Sequence, residues 1–308
     1  MVSSGFKTAS GFLLFLACAS TAGSCAQVAQ DLSTATQSGF VRTADGVQIH
    51  YLEAGPRGKT NHKPAILFIP GWTMPAEIWE PQIKHFAKTY HVVAMDPRSQ
   101  GKSTKTPDGN YPEAHARDIQ AVVDQLKLAP AVLVGWSMGV DALMAYVDQF
   151  GCKDAAALVL VDGRPWSWDY LDEAAKKRFF APLFKFQEDR QQAARNFVRG
   201  MYKHPQSPEY LERITQATLL TPTNTALALM VGVVAKDRRA ALARIDKPTL
   251  IVVARRPDLK ATEDMHSQIA GSRLEIMPGV GHALFADDPE RFNTLLETFL
   301  NQLTKTKN

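Results

Sequence analysis

The sequence predicts an α/β fold: a doubly wound, mostly parallel sheet with a helical lid inserted before the last two strands. Three observations carry this expectation. Continuous apolar runs of strand length alternate with amphipathic helical stretches, the pattern of strands covered on both faces and joined by helical crossovers. That alternation stops between Gly163 and about Lys236, where no strand candidate occurs and aromatic residues are dense. A Gly-x-Ser-x-Gly turn also stands where one apolar run passes into a helix.

The elements follow in order. Gly39 to Glu53 reads as a β-hairpin turning at Asp45-Gly46, a strong turn signal. Strands are expected at Ala65 to Ile69, His91 to Met95, Ala131 to Val134, Ala156 to Val161, Thr249 to Val253 and Leu274 to Met277. Helices are expected at Ile78 to Lys88, Glu113 to Leu128, Gly139 to Phe150, Glu263 to Ala270 and Pro289 to Leu303. The core is therefore assigned to residues 39–162 and 237–308, and the lid to 163–236. Its aromatic residues either bury against the main domain or line a pocket, and both can hold at once.

Ahead of the core lies a different kind of segment. Lys7 is the only charged residue before Asp31; an apolar run from Gly11 to Ala19 and a small-residue exit follow it. This is the pattern of a secretory signal peptide over residues 1–26, too short for the ~20 apolar residues of a membrane span. A polar leader, residues 27–38, comes next. Ser24-Cys25-Ala26 fits ordinary cleavage and a periplasmic or secreted product; Ala22 to Cys25 is a looser fit to a lipoprotein box. Membrane attachment follows only if Cys25 is lipidated.

Composition narrows the rest. At 308 residues, with 45% hydrophobic and 21% charged, the chain can bury a core without staples. Its net charge of +4 is scattered among both signs, which argues against a nucleic-acid partner. A single internal cysteine, Cys152, provides neither an internal disulfide nor a paired-cysteine metal site. There is no phosphate loop and no dinucleotide fingerprint.

Chemistry concentrates in two motifs. Gly135-Trp136-Ser137-Met138-Gly139 follows a strand and opens a helix, the strand–turn–helix setting in which a serine hydroxyl is presented on a strained turn. That hydroxyl is a poor nucleophile until a base takes its proton. Of eight histidines, His282 lies in the Gly-rich loop Pro278 to Phe285 after the last strand. Loops beyond the strands' carboxyl ends gather on the face that carries the turn. The remaining histidines are expected in helices or turns, exposed to solvent. Asp141 and the pair Asp287-Asp288 are read as capping or solvating helix ends.

From Gly39 to Leu300 the chain resembles the α/β-hydrolase superfamily, and most of all its cofactor-free non-haem haloperoxidase esterases and nearby carboxylesterases. The resembling stretches are Ile69-Pro-Gly-Trp72 with Trp79-Glu-Pro-Gln82, Asp96-Pro-Arg-Ser-Gln-Gly-Lys-Ser103, the serine turn, and Gly281-His282 followed by Asp288-Pro-Glu-Arg-Phe292. The resemblance implies Ser137 as nucleophile, His282 as general base, and an oxyanion hole from the backbone N–H groups of Met138 and Trp72. Trp136, Trp166 and Trp168 are expected to line the substrate pocket.

Three departures matter. Pro70-Gly71 replaces the usual His-Gly; Gln100 replaces a small residue in Arg98-Ser99-Gln100-Gly101, with an architectural effect expected. The acid is open between two residues. Asp258, one residue late in the stretch where the family's aspartate stands, is preferred, and Asp162, directly after an earlier strand, is the alternative. The implied function is hydrolysis of small to medium, partly apolar esters or lactones through an acyl-enzyme, with no cofactor. Hydrolysis of a C–C bond, thioester or peptide N-terminus is the alternative on the same triad, and a non-catalytic binding protein the alternative from another class.

Overall fold

A computed structural model describes residues 35–57, 63–165, 169 and 172–305. The expected signal peptide and Cys25 lie outside the described residues, as does most of the polar leader. The sheet runs through β1 (Gln37–Arg42), β2 (Gln48–Ala54), β3 (Ala65–Ile69), β4 (Val92–Met95), β5 (Ala131–Trp136), β6 (Ala155–Val161), β7 (Thr249–Ala254) and β8 (Arg273–Met277). Its spatial order is β1-β2-β4-β3-β5-β6-β7-β8. β1 and β2 form the antiparallel hairpin, with Arg42 opposite Gln48; β2 runs antiparallel to β4, and every later pairing is parallel.

The apolar runs become central strands because both sheet faces are covered. In β3, Ile66 and Phe68 enter one core, while Ala65, Leu67 and Ile69 enter the other. In β5, Val132, Val134 and Trp136 go to the first side and Ala131 and Leu133 to the second. This is the period-two alternation of a strand with no polar face.

α1 (Glu80–Phe86), entered through a 3₁₀ turn at Ala76–Trp79, packs on the first side. There Trp79 stacks on Phe285 at 3.8 Å between ring centroids. α2 (Pro112–Gln125) and α3 (Met138–Phe150) cover the second. Between β6 and β7 come α4 (Glu173–Glu188), α5 (Arg190–Gly200), α6 (Pro208–Leu219) and α7 (Thr223–Val234). Their apolar faces meet Trp72 and Met138 over the carboxyl ends of the strands, with Phe186, Ala194, Ala226 and Leu229 at the contact. α8 (Lys260–Gln268) joins β7 to β8; the short α9 (Leu284–Asp287) and α10 (Pro289–Lys305) complete the chain.

Two histidines expected in solvent are in the interior. His50 on β2 is 1% exposed and His115 on α2 is 2% exposed. Burial first, and the neighbouring Arg98 second, push His115 down to about 3, so it is neutral in the folded protein at neutral pH. The unfolded chain takes up a proton near pH 6.5 and the folded one does not until about 3. Stability is therefore intact above about 6.5 and falls with decreasing pH across that window, by at most about 1.4 kcal/mol per unit. His115→Gln is expected to shrink the stability difference between pH 6.5 and pH 4.5, read by urea unfolding, by up to ~2.7 kcal/mol.

Candidate active site

The turn between β5 and α3 sets the geometry. Ser137 has φ 55° and ψ −118°, a conformation that costs a side-chain-bearing residue of order 1–3 kcal/mol. The neighbouring glycines make this turn possible. A Cβ on Gly139 would stand 2.6 Å from the Ile69 carbonyl oxygen, and one on Gly135 would stand 2.7 Å from that of Gly139. The Ser137 N–H donates to the Val161 carbonyl at 3.0 Å, which fixes the turn against β6.

His282 reaches this serine from the loop after β8, with Nε2 2.9 Å from Ser137 Oγ. Its Nδ1 lies 2.6 Å from Oδ2 of Asp162. Asp162 is therefore the partner of the imidazole, and the preference for Asp258 is corrected. Asp162 directly follows β6, the strand beside β5, and its φ of 41° turns the carboxylate under the histidine. Its side chain has no solvent exposure. Oδ1 accepts the Ala254 N–H at 2.9 Å, and Oδ2 also accepts from the Arg256 guanidinium. Asp258 is exposed, and its carboxylate accepts the backbone N–H of Lys260 at 2.9 Å, at the entrance to α8.

The histidine loop is braced from three sides. Trp136 donates its indole N–H to the His282 carbonyl at 3.0 Å, and its ring sits 5.0 Å from Phe285. It is 1% exposed and belongs to the core behind the histidine, so its expected place in the pocket wall is corrected. Trp166 and Trp168 lie outside the described residues. The Ala283 N–H donates to the Met201 carbonyl at 3.0 Å.

Asp287 is the third brace, and its reading as a solvated helix end is also corrected. Its buried carboxylate accepts N–H groups from Gly281 at 2.7 Å and from Lys203 and His204 at 2.9 Å each. Asp288 does cap, accepting the Arg291 N–H at 3.2 Å. Asp287→Ala leaves those three N–H groups without their acceptor and frees the loop. We expect kcat to fall by about 10²-fold, the cost typical of an ångström's misplacement of a reacting group. Steady-state kinetics checks this, since a larger change in KM than in kcat would contradict it.

On the other side of the serine, Trp72 follows β3 on the Pro70-Gly71 turn. Its indole N–H donates to the Ala226 carbonyl of α7 at 2.7 Å, and its ring contacts Phe186 and Phe197 at 4.9 and 5.1 Å. The next N–H, of Thr73, donates to the Gln100 side-chain oxygen. Gln100 is fully buried and so braces the Trp72 loop. Met138 opens α3, where a helix's first N–H groups have no acceptor within the helix.

Two cavities meet at this point. One of about 230 Å³ is lined by Ser137, Met138, Trp72, Asp162, Arg164 and Arg256, among others. The other, about 710 Å³, is mostly apolar and lies among α4, α5 and α7, with Leu183, Phe186, Met201 and Met230 in its wall. Trp72, Phe197, Met230 and His282 border both.

Sequence reasoning missed Arg256 as a partner of the acid, although Arg255-Arg256 stands directly after a recognised strand. It also missed Asp287, whose only sequence signal was its nearness to His282.

Comparison with known proteins agrees with this geometry. The profile described as "Alpha/beta hydrolase family" matches residues 66–295. The chain is 38% identical over 128 residues to the bifunctional esterase/perhydrolase DCH of Acinetobacter calcoaceticus, a match spanning 41% of this chain and 45% of that relative. It is 26% identical over 280 residues to a non-heme chloroperoxidase of Streptomyces lividans, covering 85% of this chain and 99% of the relative. The structure of an esterase (EaEST) from Exiguobacterium antarcticum superposes with a TM-score of 0.76 at 23% identity, covering 85% of this chain and 98% of that one. With sheet order, serine turn and histidine loop all in place, the chain belongs to the α/β-hydrolase family.

Proposed function

We propose that this protein is a serine esterase acting on small to medium, partly apolar esters or lactones. The observation that carries the reading is the unbroken chain from Ser137 Oγ through His282 to Asp162, at 2.9 and 2.6 Å, opening on an apolar cavity of about 710 Å³. The esterase and perhydrolase named among the relatives supports the same bond type.

In the mechanism, Ser137 Oγ attacks the ester carbonyl carbon while His282 Nε2 takes its proton. The carbonyl oxygen becomes an oxyanion held by the N–H groups of Met138 and Trp72, each such donor contributing ~10²–10³ in rate. His282 then gives its proton to the leaving alcohol oxygen, and an acyl-enzyme remains. Water, deprotonated by the same imidazole, releases the acid and restores Ser137. Asp162 orients the ring and stabilises the imidazolium without taking the proton itself. Helices α4 to α7 act as the lid, and the large cavity accommodates the apolar part of the substrate.

The test is fluorophosphonate labelling of the purified protein, mapped by mass spectrometry, beside hydrolysis of p-nitrophenyl esters from acetate to decanoate. Labelling at Ser137 with an optimum between the shortest and longest chains is expected. Labelling without ester turnover moves the substrate to another bond, such as a thioester or C–C bond. No labelling overturns the catalytic reading in favour of a binding protein.

A further inference from the structure

The smaller cavity beside Ser137 has a charge pattern that hydrolysis of a neutral ester does not require. Arg164 and Arg256 both line it, together with Asp141 and Asp162. Asp162 is already committed to His282, the Ala254 N–H and Arg256. Asp141, in the first turn of α3, is 4% exposed and has an interaction of its own. Arg164 differs from all of these. Among the described residues it has no hydrogen bond and no ion pair, although it is half-buried.

Burial first and the like charge of Arg256 second push the Arg164 guanidinium below its ordinary value. The carboxylates of Asp162, Asp258 and Asp141 act on it as well and do not restore it. Arg164 thus borders the nucleophile's cavity with no bonded acceptor among the described residues, while Asp162, which lines the same cavity, is held by His282, Ala254 and Arg256. A half-buried guanidinium without a partner is costly to keep, and it becomes favourable when a carboxylate takes its planar fork in two charge-assisted bonds.

We propose that this small arm of the site is an anion subsite: Arg164, backed by Arg256, receives a carboxylate carried by the substrate. The preferred ester then straddles Ser137, with an apolar part in the large cavity and an acidic group a few bonds from the scissile carbonyl. The proposal rests on Ser137 being the nucleophile. It adds substrate class, since a neutral ester leaves Arg164 unpaired and an acidic one does not.

Two matched pairs of esters test it on the full chain. Methyl hexanoate against monomethyl adipate places the acid on the acyl side; ethyl hexanoate against carboxymethyl hexanoate places it on the alcohol side. We expect kcat/KM for at least one acidic ester to exceed its neutral match by about tenfold or more, the effect of a charge-assisted hydrogen bond, and the pair that responds identifies the side. The ratio is expected to fall towards one in Arg164→Gln and to survive in part in Arg164→Lys, which keeps the charge and loses the fork. In the wild type it also falls as salt rises, a reading independent of any variant.

Fluorophosphonate labelling of Ser137 in each protein reports whether the site is assembled. Neutral esters turned over with no preference for either acidic match overturn the subsite alone. So does a preference that Arg164→Gln leaves untouched. Absence of both labelling and turnover overturns the hydrolase reading, and the subsite with it.

Discussion

Ser137→Ala is expected to lower kcat for ester hydrolysis by roughly 10⁶-fold, with the Tm within a few degrees of wild type. The size follows from how the triad divides its work. Without Oγ no acyl-enzyme forms, and only the oxyanion donors and substrate binding remain, together leaving ~10³–10⁴ over water. The fold is expected to persist because alanine still occupies the turn at φ 55°, and the contacts of Gly135 and Gly139 are untouched. The molecule supplies its own control. Ser38 Oγ lies 2.8 Å from His50 Nε2, and His50 Nδ1 lies 2.8 Å from Asp96 Oδ2. The same three residue types are thus linked a second time, at the hairpin edge of the sheet. Ser38, however, stands on an ordinary strand opposite Leu52, with no strained turn and no helix N-terminus beside it. The Asp96 carboxylate there also accepts the N–H groups of Ala76 and Lys102, at 2.5 and 2.7 Å, which makes it a loop anchor. Ser38→Ala should leave turnover unchanged. If it removes activity, the nucleophile has been misassigned.

That contrast bears on what a sequence can disclose. The hairpin at Asp45-Gly46, the buried strands and the serine turn were legible because each depends on residues close together in the chain. Period-two burial and a Gly-x-Ser-x-Gly turn are local patterns, and local sterics enforce them. His282 was legible for a topological reason: the loops after parallel strands collect on one face. The acid was not, because its choice depends on which of two loops turns inward. Counting residues after β7 pointed to Asp258, whereas the structure turns Asp162 inward through a φ of 41° at the end of β6. Trp136, Arg256 and Asp287 were misread or missed for a related reason. Their partners lie 146, 94 and 84 positions away in the chain, at His282, Asp162 and Lys203. Such contacts leave no periodicity to read. His50 and His115 were placed in solvent on residue type alone, and the packing of β2 and α2 overrode that preference.

Asp162→Asn is expected to reduce kcat by about 10⁴-fold, while Asp258→Asn changes it by no more than a factor of a few. The first effect comes from hydrogen-bond polarity. Both Asp162 oxygens face donors: the Ala254 N–H at Oδ1, and Arg256 with His282 Nδ1 at Oδ2. An asparagine has one acceptor end and one donor end, and either orientation fails. With NH₂ towards Ala254, two donors meet in a site closed to solvent. With NH₂ towards His282, Nδ1 must become the acceptor, and the ring proton moves to Nε2. Nε2–H then points at Ser137 Oγ, 2.9 Å away, and no longer takes the serine's proton. Asp258 makes none of these contacts; its bond to the Lys260 N–H is exposed, and an asparagine oxygen replaces it. Single-turnover acylation of a p-nitrophenyl ester by the two variants separates the possibilities. Slow acylation in Asp162→Asn alone assigns the acid to the turn that follows β6. The reverse result would mean that the loop after β7 rearranges on substrate binding and delivers Asp258 to the imidazole.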